Sequence, residues 1–248
     1  MSTFTYPAPA PSRVLRLPRL SRGGAQVALF FLAYLVYSGA RYFTIGDLGD
    51  ATTNAHWIVD LEDNLHVGIE GAVQTALTGS IVLWILNHVY LAAQLVVLPG
   101  ALWMLHRKAR PTYARLRNTV LATWLLSIPV YGLFPVAPPR LADIGLVDTI
   151  SSQTGFAMDS SLTTSFYNEL AAVPSLHVGF AFAVGIAVAS ATSNRALKVA
   201  GHLWGPIVAL AVVATGNHYV FDIVAGMVAA AIGYGLGALV AKGTEKVF

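Results

Sequence analysis

The stretch GNHYVFDIVAGMVAAAIGYGLGALVA, residues 216–241, decides the fold. From Tyr219 onward it is an almost unbroken apolar run, long enough at about 1.5 Å per residue to cross roughly 30 Å of hydrocarbon. A histidine and an aspartate, His218 and Asp222, stand at its start. Ionisable residues at the mouth of a membrane helix are costly to keep, and they direct attention to function.

Working outward, apolar runs of similar length occupy residues 25–43, 80–105, 118–135, 174–192 and 200–215. The whole chain is 56% hydrophobic and 11% charged, with a mean hydropathy of +0.63. These values describe a chain whose solvent is lipid. The expectation is an all-α, polytopic membrane bundle of six transmembrane helices, spanning residues 25–241. Residues 1–24 read as a basic cytosolic tail and 242–248 as a second tail. Cysteine is absent, which removes disulfides, thiolate nucleophiles and cysteine metal sites. A net charge of +3 gives no footprint for nucleic acid.

Segment 52–77 has a different pattern. Ile58, Leu61, Leu65, Ile69, Val73 and Leu77 recur at helical spacing, while Asp60, Asp63, His66, Glu70 and Gln74 take other faces. Thr52, Thr53 and Asn54 are candidate N-caps. The segment reads as an amphipathic helix lying in the interface, packing over a cavity, or simply solvated.

Placing both termini in the cytoplasm leaves only Arg41 and Arg140, of 15 Lys and Arg residues, on the outer side. Every acidic residue but Glu245 then lies outside or at an outer helix end. The cationic asymmetry sets this orientation in a cell membrane. It also brings Arg140, Pro174-Ser175-Leu176-His177, His218 and Asp222 to one membrane face.

His218 and Asp222 are four apart and share a helical face, so the carboxylate can fix the imidazole tautomer and leave the other nitrogen as a nucleophile. His177 is placed to protonate a leaving alkoxide. Ser175 and the amides opening its helix form an anion site, and Arg140 can clasp phosphate oxygens bidentately. Each has a plainer reading: a polar pair, a helix-end histidine, an N-cap and a headgroup arginine. His88, Asn87 and Tyr90 form either a cavity lining or a core polar cluster. No metal-ligand spacing supports a zinc site at His177, His218 and Asp222. A proton-coupled transporter or flippase-like protein is the alternative from another class, and it requires polar residues near mid-membrane.

At these residues the chain resembles the type 2 phosphatidic acid phosphatase superfamily. Its Pro-Ser-x-His motif appears as Pro174 to His177, and its His-x-x-x-Asp ending as His218 to Asp222. The resemblance implies that His218 is a nucleophile forming phosphohistidine, that Asp222 orients it, and that His177 protonates the leaving group, without a metal or other cofactor. The first motif keeps Arg140, but the family's lysine seven residues earlier is Leu133 here, and its arginine six residues before the nucleophile is Val212. These departures, with the Phe-Pro-x-Ala-Pro-Pro-Arg-Leu run at 134–141 and Glu62, Glu70 and Gln74, look similar to the branch containing inositol phosphorylceramide synthase. The implied substrate is a lipid-linked phosphate, and the implied acceptor is water or an alcohol such as inositol, a sugar or a lipid.

Overall fold

The computed structural model describes residues 22–44, 46–164 and 168–245. The expected basic tail falls almost entirely outside them. The chain divides into two compact units, residues 1–35 and 36–248. Described residues are helical or loop, with a single isolated bridge between Val136 and Ala171.

Helix α1, Arg22–Thr44, is apolar and long enough to cross a bilayer. Three further helical stretches of the second unit meet that criterion: Ile81–Lys108, α10 (Arg195–Ala214) and α11 (Val220–Glu245). The first consists of α4 (Ile81–Ala92), a π-turn and α5 (Leu98–Lys108). These four apolar helices mark a membrane protein. The other two expected spans are helical as well. Helix α6, Arg110–Leu133, has the length, but its first two turns carry Arg110, Arg115 and Arg117. Helix α9, Leu176–Ser190, is apolar but has only 15 residues. Helix α11 continues through Glu245, into the segment expected as the C-terminal tail.

Helix α10 packs along α9, α11 along α6, and α9 touches both α6 and α11. In α6, which contains Pro129, the hydroxyls of Thr119, Thr123 and Ser127 donate to carbonyls four residues back, so this buried polar row is satisfied within its own helix. Large apolar side chains such as Ile81, Leu95, Leu133 and Leu239 point outward, as lipid-facing surfaces require.

The segment 52–77 is two helices rather than one: α2, Leu48–Asn64, and α3, Glu70–Leu77. They are separated at His66, whose φ of 58° is left-handed. The cap of α2 is Asp47, which accepts from the Gly49 amide at 2.7 Å, and not Thr52, Thr53 or Asn54. Thr53 donates instead to the Gly49 carbonyl and Asn54 to the Pro135 carbonyl. The buried stripe of α2 is Ala51, Ala55, Ile58 and Glu62. Leu65 and Ile69, expected on the apolar face, are exposed. Glu70 and Gln74 are buried. The reason is that both carboxylates and the amide find backbone partners on the rest of the fold, and those bonds outweigh the apolar stripe.

Four short elements complete the path around the site. They are a 3₁₀ turn at Pro139–Leu141, α7 (Thr149–Thr154), α8 (Ser161–Thr164) and the loop 168–175 that leads into α9.

Candidate active site

The site forms where α6 ends and α9 and α11 begin. Phe134 closes α6, and the following prolines carry the chain away in an extended path that cannot continue a helix. Two backbone bonds, Val136 N–H to Leu170 O and Ala172 N–H to Val136 O, fasten this path to the loop before α9. The Ala137 amide donates to Ala51 O, and the buried Tyr219 hydroxyl donates to Ala137 O at 3.0 Å. The Arg140 amide donates to Gly216 O at 2.9 Å. Gly216 itself has a φ of +70°, which permits the tight turn between α10 and α11. Segments far apart in sequence are thus tied to one another by their main chains before any side chain is considered.

His218 is buried, and its Nδ1 lies 3.0 Å from Asp222 Oδ2. The same oxygen accepts from the Tyr219 amide at 3.0 Å, so the carboxylate also holds the turn that carries the imidazole. Asp222 is fully buried, and its Oδ1 makes no hydrogen bond among the described residues. With Nδ1 donating to the carboxylate, Nε2 of His218 carries the lone pair.

His177 lies on the first turn of α9. Its ring centroid is 6.0 Å from that of His218, and it stacks on Tyr90 of α4, at 4.0 Å between centroids and 22° between planes. Ser175 is the N-cap of α9: its hydroxyl accepts from the Val178 amide at 3.4 Å, while its own amide donates to Asp222 O at 3.2 Å. Its hydroxyl therefore acts as the cap the sequence allowed, and the amides of Leu176 and His177 precede the first intrahelical bond. Arg140 reaches the same place, with Nε donating to Asn217 Oδ1 at 3.1 Å and Nη2 lying 3.9 Å from Glu169 Oε1.

The structure places His218, Asp222, His177 and Ser175 in one cluster, with Arg140 beside it through Asn217 and Gly216. It separates the trio on α4. Tyr90 belongs to the site through His177, and Asn87 is a core residue, accepting from Thr149 at 2.7 Å and donating to Gln153 at 2.9 Å. His88 is exposed against Trp84. His56 contacts the Ala142 carbonyl. Sequence reasoning missed Asn217 and Glu169 as partners of Arg140, although Asn217 adjoins the histidine that drew attention. It named Glu62 and Glu70 through the branch resemblance but missed their partners: they accept from the Phe221 and Val220 amides at 2.5 and 2.7 Å.

Burial, opposed by the Phe221 amide and reinforced by Glu70, pushes the Glu62 carboxyl up to about 8. Glu62 therefore keeps its proton at neutral pH.

Fold and contacts together define a helical membrane protein with a histidine–carboxylate pair, a second histidine and an arginine gathered at one end of its helices. Such a set can attack, protonate and bind an anionic ester. A family model described as the PAP2 superfamily matches residues 56–236, and the chain belongs to that superfamily of phosphatases and phosphotransferases acting on lipid-type substrates. No curated protein and no solved structure was found to match the chain.

Proposed function

We propose that the protein is a lipid phosphatase or phosphotransferase that works through a phosphohistidine on His218, without a metal. The observation that carries this reading is the 3.0 Å contact between His218 Nδ1 and Asp222 Oδ2, with the His177 ring 6.0 Å away. Nε2 of His218 attacks the phosphorus of a lipid-linked phosphate, and the bond from phosphorus to the alcohol oxygen breaks. His177 gives that oxygen its proton. Asp222 balances the positive charge that develops on the imidazole. Arg140 and the amides opening α9 stabilise the phosphoryl oxygens in the transition state.

In the second step His177, now neutral, takes a proton from water or from an alcohol that attacks the phosphohistidine. Water completes a phosphatase cycle. An inositol, sugar or lipid hydroxyl completes a transfer. Only one of the family's usual three phosphate-binding cations is kept, with Leu133 and Val212 at the other two positions. That departure supports the branch containing inositol phosphorylceramide synthase, where the donor's phospho-headgroup moves to an acceptor alcohol.

The charge pattern supports six membrane spans over residues 25–241, termini in the cytoplasm and the site at the extracytoplasmic face of a cell membrane. The experiment is to quench the purified full chain rapidly after mixing with a radiolabelled lipid phosphate. The expected result is an acid-labile, base-stable phosphoenzyme in the wild type and none in His218→Ala. Turnover retained by His218→Ala sinks the proposal.

A further inference from the structure

Glu62 and Glu70 have no part in the chemistry above, yet both are buried, with 3% and 6% of their surface exposed. A carboxylate removed from solvent is costly unless strong donors receive it. Here the donors are backbone amides. Glu70 Oε1 accepts from Val220 N–H at 2.7 Å and Glu62 Oε1 from Phe221 N–H at 2.5 Å.

These amides open α11, where no intrahelical acceptor exists. The neighbouring ones are taken as well: Tyr219 N–H by Asp222 Oδ2 and His218 N–H by Val212 O. Every amide from His218 to Phe221 thus has a fixed acceptor, over the very turn that sets the His218–Asp222 geometry. An ordinary helix start is served by one local cap. This one is held by two carboxylates from separate helices, brought side by side by the reversal at His66, where Val67 N–H folds back to Glu62 O at 2.9 Å.

Gln74, one turn beyond Glu70, extends the clamp to the preceding turn. It donates to Ala214 O at 3.3 Å and Val147 O at 3.0 Å, and accepts from Val147 N–H at 3.0 Å.

We infer that Glu62 and Glu70 are positioning residues, a two-carboxylate cap delivered by α2 and α3 that holds the first turn of α11 and so aims His218. The inference rests on the reading of His218 as nucleophile. It gives the interrupted segment 48–77 a role that its amphipathic pattern does not suggest. It also has a consequence for substrate binding: the positive end of α11 is already occupied by carboxylates, so phosphate is left to Arg140 and the start of α9. The proton that Glu62 keeps at neutral pH limits the repulsion this cap exerts on an anionic substrate.

The test uses the full chain in lipid nanodiscs with dioleoyl phosphatidic acid as probe. Glu62→Ala and Glu70→Ala remove the acceptor oxygen, Glu62→Gln and Glu70→Gln keep it, and Glu62→Asp and Glu70→Asp keep the charge but shorten its reach. Two readouts are taken: hydrogen exchange of the peptide spanning 217–223, and the rate of phosphoenzyme formation alongside kcat and KM. In the Ala and Asp variants, exchange at Val220 and Phe221 is expected to rise about tenfold or more. Phosphoenzyme formation and kcat are expected to fall at least about tenfold, with KM changing by less than about threefold. The Gln variants stay near wild type in both readouts.

Should the Ala variants fail to fold, the Asp variants carry the test, and wild-type exchange and turnover in them overturns the inference. Gln variants as impaired as Ala variants also overturn it, because charge and not the acceptor oxygen then matters. A wild-type protein that forms no phosphoenzyme defeats the nucleophile reading itself. Normal phosphoenzyme formation in every Glu variant defeats only the positioning role.

Discussion

Asp222 Oδ2 accepts at once from His218 Nδ1 and from the Tyr219 amide, each at 3.0 Å, so one oxygen sets both the tautomer of the imidazole and the turn that presents it. Asp222→Asn separates these two duties. Its amide oxygen still accepts from Tyr219 N–H, but no carboxylate then faces the imidazolium formed during transfer. Turnover is expected to fall by about 10²- to 10⁴-fold with the helix start intact. Steady-state rates together with hydrogen exchange over 217–223 check this. A variant within about threefold of wild type means that the carboxylate does not support the reaction.

Gly226 lies one turn beyond Asp222 and faces the backbone of Ser175. A Cβ there overlaps the Ser175 carbonyl oxygen and sits 3.1 Å from its carbon and 3.3 Å from its nitrogen. None of these atoms can swing aside as a side chain can. Gly226→Ala gains about 1 kcal/mol of helix propensity, but the overlap is expected to cost about 1–3 kcal/mol and to push His177 away from His218. Apparent Tm and turnover should therefore both drop. A variant more stable than wild type, with full activity, contradicts the close packing of α9 on α11.

The parts of this site that could be read in advance are those made by local spacing. His218 and Asp222 are four apart across the start of α11, with His218 in the turn just before it, and Pro174 to His177 open another helix, so sequence alone brings each group to a helix start. The helices themselves were legible from apolar runs, because lipid imposes length and composition directly. Glu62 and Glu70 were not legible, since their partners are main-chain amides of Phe221 and Val220, far along the chain, and an amide leaves no mark in a sequence. The helical pattern puts Glu70 on a polar face, and only the branch resemblance singles out Glu62, with no role for either. The same blindness hid Tyr90 against His177 and Glu169 near Arg140, where the contact crosses between elements without any repeating pattern.

Stability should depend on pH through Glu62. Its folded carboxyl titrates at about 8 against 4.5 for the free group, so between these values the folded chain keeps a proton that the unfolded chain has released. Stability is then fullest below about 4.5 and falls as pH rises towards 8, with a slope of up to about 1.4 kcal/mol per pH unit from this group. Other ionisable groups contribute to the total, so the informative quantity is the difference between wild type and Glu62→Gln. The expected outcome is a Tm that declines more steeply across this window in the wild type. Parallel curves remove Glu62 as the cause.

His177 stands 6.0 Å from His218 between ring centroids and stacks on the Tyr90 ring at 4.0 Å. If it protonates the leaving oxygen, its importance depends on how badly that oxygen needs a proton. An alkoxide leaving from a lipid phosphate needs one, and a nitrophenolate does not. In His177→Gln, formation of the phosphoenzyme should slow by about 10²- to 10⁴-fold with a lipid phosphate, but by less than about tenfold with nitrophenyl phosphate. The burst phase must be read, because His177 also acts as base in the second step and its loss slows steady-state turnover for both substrates. Equal slowing of the two bursts would show that the ring positions or binds substrate without transferring a proton.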